Sequence, residues 1–134
     1  MIENRIHSVN ERELSRILSD PKLSESTHLV EIQGANIQSW SDYIKIIEDT
    51  FKLPTQWPNN MDAYLDWMRD LDWLNKDSYI LVIHDFDSFL CADLELKNII
   101  IEDFNDVILP WWKEEVETYT VGGRKKPFNV YLVG

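Results

Sequence analysis

Residues 53–73 decide how the middle of the chain folds, and they read LPTQWPNNMDAYLDWMRDLDW. Three aspartates stand four residues apart in this stretch, at Asp62, Asp66 and Asp70. An α-helix turns by about 100° per residue, so this spacing sets them along one side with a drift of about 40° per step. Like charges at this spacing repel by roughly 0.2–0.5 kcal/mol per pair. The row indicates either a surface kept for a positive partner or, equally, a solvated face of an acidic protein.

A helix start signal precedes the aspartates. Pro58 interrupts the chain, and the side chain of Asn59 can accept hydrogen bonds from the free amides of a first helical turn. Asp62 then stands in the capping-box position. The helix is predicted to begin at Asn59 or Asn60, and its opposite side is predicted to pack through Met61, Tyr64, Leu65, Met68 and Leu71.

Short motifs on both sides of this helix resemble the barstar family of intracellular ribonuclease inhibitors. They are Glu31-Ile32-Gln33-Gly34, Ser41-Asp42-Tyr43, Leu53-Pro54, Trp57, Asn60-Met61-Asp62-Ala63 and Asp66. The resemblance runs from His28 to the end of the chain. It implies that Asp62 and Asp66 present carboxylates to a ribonuclease, and that a further family acid falls near Glu114 or Glu115.

Three positions depart from the family pattern. Gln56 stands where the family has Tyr, Pro58 where it has Gly, and Leu65 where it has Trp beside the second acid. The aromatic contacts to a partner are therefore altered. The partner-binding residues predicted from the pattern and the resemblance are Asp62, Asp66, Gln56, Trp57, Asn59, Asn60, Leu65, Asp70 and Glu114.

Composition agrees with a compact acidic protein. The 134 residues are 44% hydrophobic and include six Trp, which argues against disorder and allows one packed core. The formal net charge of −11 disfavours nucleic acid as a direct ligand, because phosphate contacts require a basic surface. A basic protein is the expected partner, and a monomer is favoured.

The cysteine count and the N-terminus predict a cytoplasmic location. Cys91 is the single cysteine, so no intramolecular disulfide can form, and residues 1–5 lack the apolar run of a signal peptide. No stretch reaches the length of a membrane-spanning helix. Cys91 is interpreted as a small buried hydrophobe.

The remaining patterns predict the α/β class: a small barstar-like sandwich in which helices cover a three-stranded, mainly parallel sheet. An N-terminal helical extension is expected over 1–27, with a helix at 9–19, and the barstar-like domain over 28–134. Within the domain we predict strands at 28–33, 79–84 and 128–133, a helix from Ser41 to Phe51 capped by Ser41, and a helix over 102–119 kinked at Pro110.

Other groups of reactive residues give weaker signals. Asp85 and Asp87, with His84 beside them, follow a predicted strand and allow a metal-dependent enzyme, although a turn cap is favoured. Trp111-Trp112 is interpreted as core plus one partly exposed ring. The basic run Arg124-Lys125-Lys126 is interpreted as solvated, since no phosphate-loop pattern accompanies it.

The leading hypothesis is a non-enzymatic inhibitor, or immunity protein, that blocks a basic ribonuclease or ribonuclease toxin with its acidic helix. No cofactor and no metal are expected. The alternative is an acidic α/β interaction or regulatory domain that binds a non-nuclease protein. A metal enzyme built on Asp85 and Asp87 is a weaker third possibility.

Overall fold

The computed structural model describes residues 3–21, 23, 25–54 and 60–134, and its centre is a parallel sheet. The strands run in the order β1-β4-β3-β2, and every neighbouring pair is parallel. The strands are β1 (Ile6–Val9), β2 (Thr27–Gln33), β3 (Ser78–His84) and β4 (Phe128–Val133). The helices are α1 (Glu11–Leu18), α2 (Trp40–Phe51), α3 (Met61–Met68), α4 (Leu94–Asp103) and α5 (Val116–Tyr119). The predicted α/β class is confirmed.

Within the described residues the sheet has four strands, so the prediction of three was wrong. The extra strand is β1, whose Ile6 pairs with Val130 and whose Val9 pairs with Val133. The buried side chain of Asn4 fixes the chain just before it, donating to Leu109 O at 3.3 Å and to Lys126 O at 3.0 Å. The segment predicted as helical therefore contributes a strand as well as a helix.

The sheet is packed on both faces, because successive side chains of a strand point to opposite sides. Tyr79, Leu81 and Ile83 of β3 join the larger core under α2, α3 and α4. The alternate residues Ile80 and Val82 join a smaller core that includes Leu14 of α1, Tyr131 and Val133. Helix α1 is thus docked on the sheet.

Helix α2 begins earlier than predicted. Its N-cap is Ser39, whose hydroxyl accepts from Asp42 N at 3.1 Å, and Ser41 lies inside the helix. The prediction of Ser41 as the cap was wrong because both serines suit the role and the extended backbone is at Ser39. Ile44, Ile47 and Phe51 of this helix are buried in the core.

The last helical region begins at Leu94 rather than at residue 102, because the side chain of Asp93 caps it by accepting from Leu96 N. It continues to Tyr119 through π-helical turns at Phe104–Ile108 and Trp111–Glu115. Pro110 stands between the two turns. Proline has no amide donor and crowds the preceding turn, so wider turns on both sides let the helix pass it without ending. Among the described residues, no helix is long and apolar enough to cross a membrane.

Candidate partner-binding site

Helix α3 presents the acidic row, and its start lies one residue later than the favoured cap. Asn60 is the N-cap, and its side chain accepts from Ala63 N at 2.8 Å. The capping box predicted between Asn59 and Asp62 is therefore wrong. Asp62 lies in the first turn, where the helix dipole favours a negative charge, and its side chain is exposed.

The opposite side of α3 is fixed to the larger core. The hydroxyls of Tyr64 and Tyr43 lie 2.6 Å apart in a fully buried pair, and Met68 is also buried. Burial raises the pKa of both tyrosines, so both stay neutral at physiological pH. Leu65, predicted to contact a partner, is partly buried and packs against this core. The helix is therefore a rigid support for the acids on its outer side.

Asp66 is exposed over 73% of its side chain and makes an ion pair with Arg69. The Arg69 guanidinium donates to Asp66 Oδ1 at 2.9 Å, and Arg69 Nε donates to Leu65 O at 3.2 Å. The same guanidinium lies over the Trp111 ring, 5.6 Å from its centroid. Arg69 thus links the acidic row to the last helical region.

Asp70 is not on the helix with the other two acids. Helix α3 ends at Met68, and Asp70 Oδ1 accepts from Asp72 N at 3.3 Å in the following turn. Leu71, between them, has a φ of 56° and a fully buried side chain. Burying Leu71 turns the chain out of the helix, so the predicted row of three acids is shortened to two.

A groove of about 660 Å³ lies beside Asp66 and separates it from the chain around Gly122. Trp112 in its wall is buried and donates from Nε1 to Met68 O at 3.0 Å, whereas Trp111 is partly exposed and stacks with Tyr119. The prediction of one core ring and one partly exposed ring is confirmed. The groove is lined by Asp66, Arg69, Asp70, Asp72, Trp111, Trp112, Val116, Thr120, Val121, Gly122, Gly123, Arg124 and Lys126.

The basic run on the far side of the groove is exposed at Arg124 and Lys125, as predicted, but its third residue, Lys126, is buried, so the prediction was wrong there. Lys126 is only 9% exposed, and its Nζ donates to Lys76 O at 2.7 Å and to Tyr79 OH at 3.2 Å. Desolvation lowers the pKa of Lys126, and the nearby charge of Arg124 lowers it further. Arg124 makes an ion pair with Asp77. Lys126 therefore serves the fold, whereas Arg124 stays exposed in its ion pair.

The other predicted partner-binding residues are only partly described. Glu114 is exposed in the second π-helical turn, and no contact within the described residues joins it to Asp62 or Asp66. Gln56, Trp57 and Asn59 lie outside the described residues.

The remaining reactive groups do not assemble around the acidic row. His84 Nε2 lies 2.9 Å from Glu31 Oε1, and Asp85 begins a turn at a φ of 49°. Within the described part of the chain, no three His, Cys, Asp or Glu side chains come together as a metal site.

Cys91 is exposed rather than buried, with Sγ 3.4 Å from Gln38 Oε1. It lies in the turns before α4 and not in a strand, which explains the wrong prediction.

The sequence did not indicate the connection of Arg69 to Trp111. The three-residue spacing from Asp66 to Arg69 is a usable signal for their ion pair. The contact with Trp111, 42 positions later, depends on how α3 packs against the last helical region, for which the local sequence holds no signal.

Comparison with known proteins adds one match. A family model described as Barstar (barnase inhibitor) matches residues 27–132, a span that contains β2, α3 and β4 up to Leu132 but not β1 and α1. No curated protein and no solved structure gives a significant match. Members of the matched family are inhibitors and not enzymes. With most of its length covered by this match, the chain belongs to the barstar family.

Proposed function

We propose that this protein is a cytoplasmic inhibitor, or immunity protein, that binds a basic ribonuclease or ribonuclease toxin and blocks its active site. The observation that carries the proposal is the exposure of Asp62 and Asp66 on a helix whose other side is locked into the core. The family match supports the inhibitor class.

The inhibition needs no chemistry from this chain. A ribonuclease holds RNA through cationic groups that face the phosphates, and carboxylates can occupy the same positions. Asp62 and Asp66 supply two negative charges one helical turn apart. Because Tyr64 and Met68 fix α3, little conformational entropy is lost when these acids are held against a partner.

The charge of the whole chain serves the same purpose. A formal net charge of −11 attracts a basic protein over a distance of about a Debye length, roughly 10 Å at 0.1 M salt. This attraction raises the association rate, whereas desolvated charge pairs at the centre of an interface slow dissociation. The binding is therefore expected to weaken steeply as salt is added.

One observation favours a second candidate, an acidic interaction domain with a non-nuclease partner. Leu65 packs against the core, so its side chain offers less contact surface than a fully exposed residue at this place. The departures at Gln56 and Pro58 point the same way.

Affinity capture separates the two candidates. The wild-type protein is immobilised beside an Asp62→Lys, Asp66→Lys variant, and the proteins retained from the source cells are assayed for RNA cleavage. A matched control carries Glu95→Lys and Glu102→Lys, the same charge change at exposed positions of α4.

The inhibitor proposal predicts a basic, RNA-cleaving protein held by the wild type and by the control but not by the α3 variant. A partner without nuclease activity that all three proteins retain would contradict it and support the interaction domain.

The division into an extension over 1–27 and a domain over 28–134 stays a prediction, and it agrees with a family match that starts at residue 27.

A further inference from the structure

Arg69 is a cation held in one place beside the proposed binding acids. Its Nε donates to Leu65 O at 3.2 Å, its terminal nitrogen donates to Asp66 Oδ1 at 2.9 Å, and its guanidinium lies over the Trp111 ring. Only 34% of its side chain is exposed. An arginine tethered by a carbonyl, a carboxylate and an aromatic ring does not swing away when a partner arrives.

This fixed cation makes the two acids of α3 unequal. Within the described part of the chain Asp62 has no ion-pair partner, whereas Asp66 already uses Oδ1 to accept from Arg69. A cation of the partner that reaches the other oxygen of Asp66 must come close to the guanidinium of Arg69. Like charges brought together in an interface cost affinity unless something neutralises them.

The groove leaves room for that neutralising group. Arg69 lines the groove of about 660 Å³, and within the described residues its other N–H groups have no acceptor. A guanidinium has five N–H donors in a planar fork that fits a carboxylate with two parallel hydrogen bonds. A partner carboxylate entering the groove would satisfy these donors and offset the repulsion.

We infer, on the basis of the proposed function, that Arg69 is a specificity-determining residue and that the protein fits a ribonuclease presenting a carboxylate next to a cation. The partner's cation binds Asp66 and its carboxylate binds Arg69, so four charges alternate in sign. Phosphodiester cleavage by general acid–base groups commonly sets a carboxylate beside cations that hold the phosphate. A surface with cations alone binds more weakly than it would without Arg69.

The test compares two ligands by titration calorimetry: the ribonuclease retained by the wild-type protein, and a hexa-arginine peptide that offers positive charge without a carboxylate. The variants are Arg69→Gln, Asp66→Asn, the double variant, and Arg69→Lys, which keeps the charge but loses the fork. Arg5→Gln is the control, because it removes an exposed cation that is likewise paired with an acid, Glu3, beside β1.

We expect Arg69→Gln to weaken ribonuclease binding about tenfold and to tighten binding of the peptide about two- to fivefold. Arg69→Lys weakens ribonuclease binding less and leaves peptide binding unchanged. Arg5→Gln changes neither affinity. In the Asp66→Asn background the gain for the peptide disappears, while the loss for the ribonuclease adds to that of Asp66→Asn.

Two results would overturn the inference while the proposed function stands. One is tighter binding of both ligands to Arg69→Gln, which would make Arg69 a simple repulsive charge. The other is unchanged ribonuclease binding by Arg69→Gln while Asp66→Asn weakens it. If the wild type retains no ribonuclease at all, the proposed function fails and the inference fails with it.

Discussion

Two charged segments face each other across the groove, and the fold uses them in opposite ways. On one side, Asp66 lines the groove and Asp62 lies one helical turn before it on α3. Both acids are exposed and make few contacts with the rest of the chain. On the other side, Lys126 is buried between the Tyr79 and Trp112 rings, with Nζ 5.5 and 5.7 Å from their centroids. The acids are available to bind another molecule, whereas the lysine side chain already makes its hydrogen bonds within this chain.

The number of charges in a segment therefore does not decide whether they bind a partner or support the fold. Lys126 follows a loop and precedes β4, so closing the chain onto the sheet carries its side chain inward, where a backbone carbonyl, Lys76 O, accepts from it. The α3 acids sit opposite a helix face that is already packed through Tyr64 and Met68, so they stay outside. Burial follows from the neighbours each segment meets.

The largest expected effect is on binding. Replacing both acids by Asp62→Asn and Asp66→Asn should weaken the ribonuclease complex at least about a hundredfold, or about 2.7 kcal/mol, because charge pairs at the centre of an interface are lost. Calorimetric titration measures the change. The exposed Lys125 of the basic run gives the control, since Lys125→Gln should leave binding within about twofold. An equal loss of affinity in Lys125→Gln and in the α3 variant would show that the basic run contributes to binding as much as the acids do.

The next effect is on stability and comes from the other side of the groove. Lys126→Met keeps an unbranched apolar stem but removes Nζ, which leaves Lys76 O and Tyr79 OH without their donor. We expect the free energy of unfolding to fall by about 2 kcal/mol, as measured by urea denaturation. Lys125→Met, one residue earlier and exposed, should change it by less than about 0.5 kcal/mol. A stable Lys126→Met variant would show that the lysine is held there without supporting the fold.

The strands of the fold could be predicted where they form apolar runs. Residues 79–83 are buried on both faces of β3, and residues 128–133 make up the whole of β4, so their composition alone indicated strands. Strand β1 has four residues at the sheet edge and is only partly buried, so it carries no such run. Its pairing with β4, more than a hundred positions away, depends on the tertiary fold.

The acids of the candidate site could also be predicted, because spacing along one helix and the family motif are local features. Where α3 ends could not, since burial of Leu71 in a left-handed conformation decides it and leaves Asp70 beyond the helix. The burial of Lys126 and the contact of Arg69 with Trp111 join distant segments. No local pattern encodes such contacts.

The third prediction concerns stability at alkaline pH and tests the burial of Tyr79 beside Lys126. Burial raises the pKa of Tyr79, so above about pH 10 the unfolded chain loses the phenol proton while the folded chain keeps it. Stability should therefore fall with pH by up to about 1.4 kcal/mol per pH unit for this one group. The lowered pKa of Lys126 acts in the opposite sense, but only up to the pKa of an unfolded lysine, about 10.4.

Urea denaturation between about pH 10.5 and 11.5 isolates the tyrosine contribution, because lysine is mostly deprotonated in both states there. Tyr79→Phe should reduce the fall in stability with pH by about the contribution of one tyrosine. The remaining fall should persist because the pKa values of Tyr43 and Tyr64 are raised as well. An unchanged slope in Tyr79→Phe would show that its hydroxyl is not protected by the fold.

The smallest expected effect is the stability of an Asp66→Asn variant. Its ion pair joins an exposed carboxylate to the partly exposed Arg69 guanidinium at the end of α3, and pairs at this spacing contribute about 0.5 kcal/mol or less. Relief of the repulsion between Asp62 and Asp66 offsets part of that loss. Urea denaturation should place the variant within about 0.5 kcal/mol of the wild type. A carboxylate whose removal hardly changes the free energy of unfolding is not needed by the fold, which agrees with a role in binding a partner. A fall in the free energy of unfolding of more than about 2 kcal/mol would instead make Asp66 a structural residue and remove the main support for a partner-binding α3.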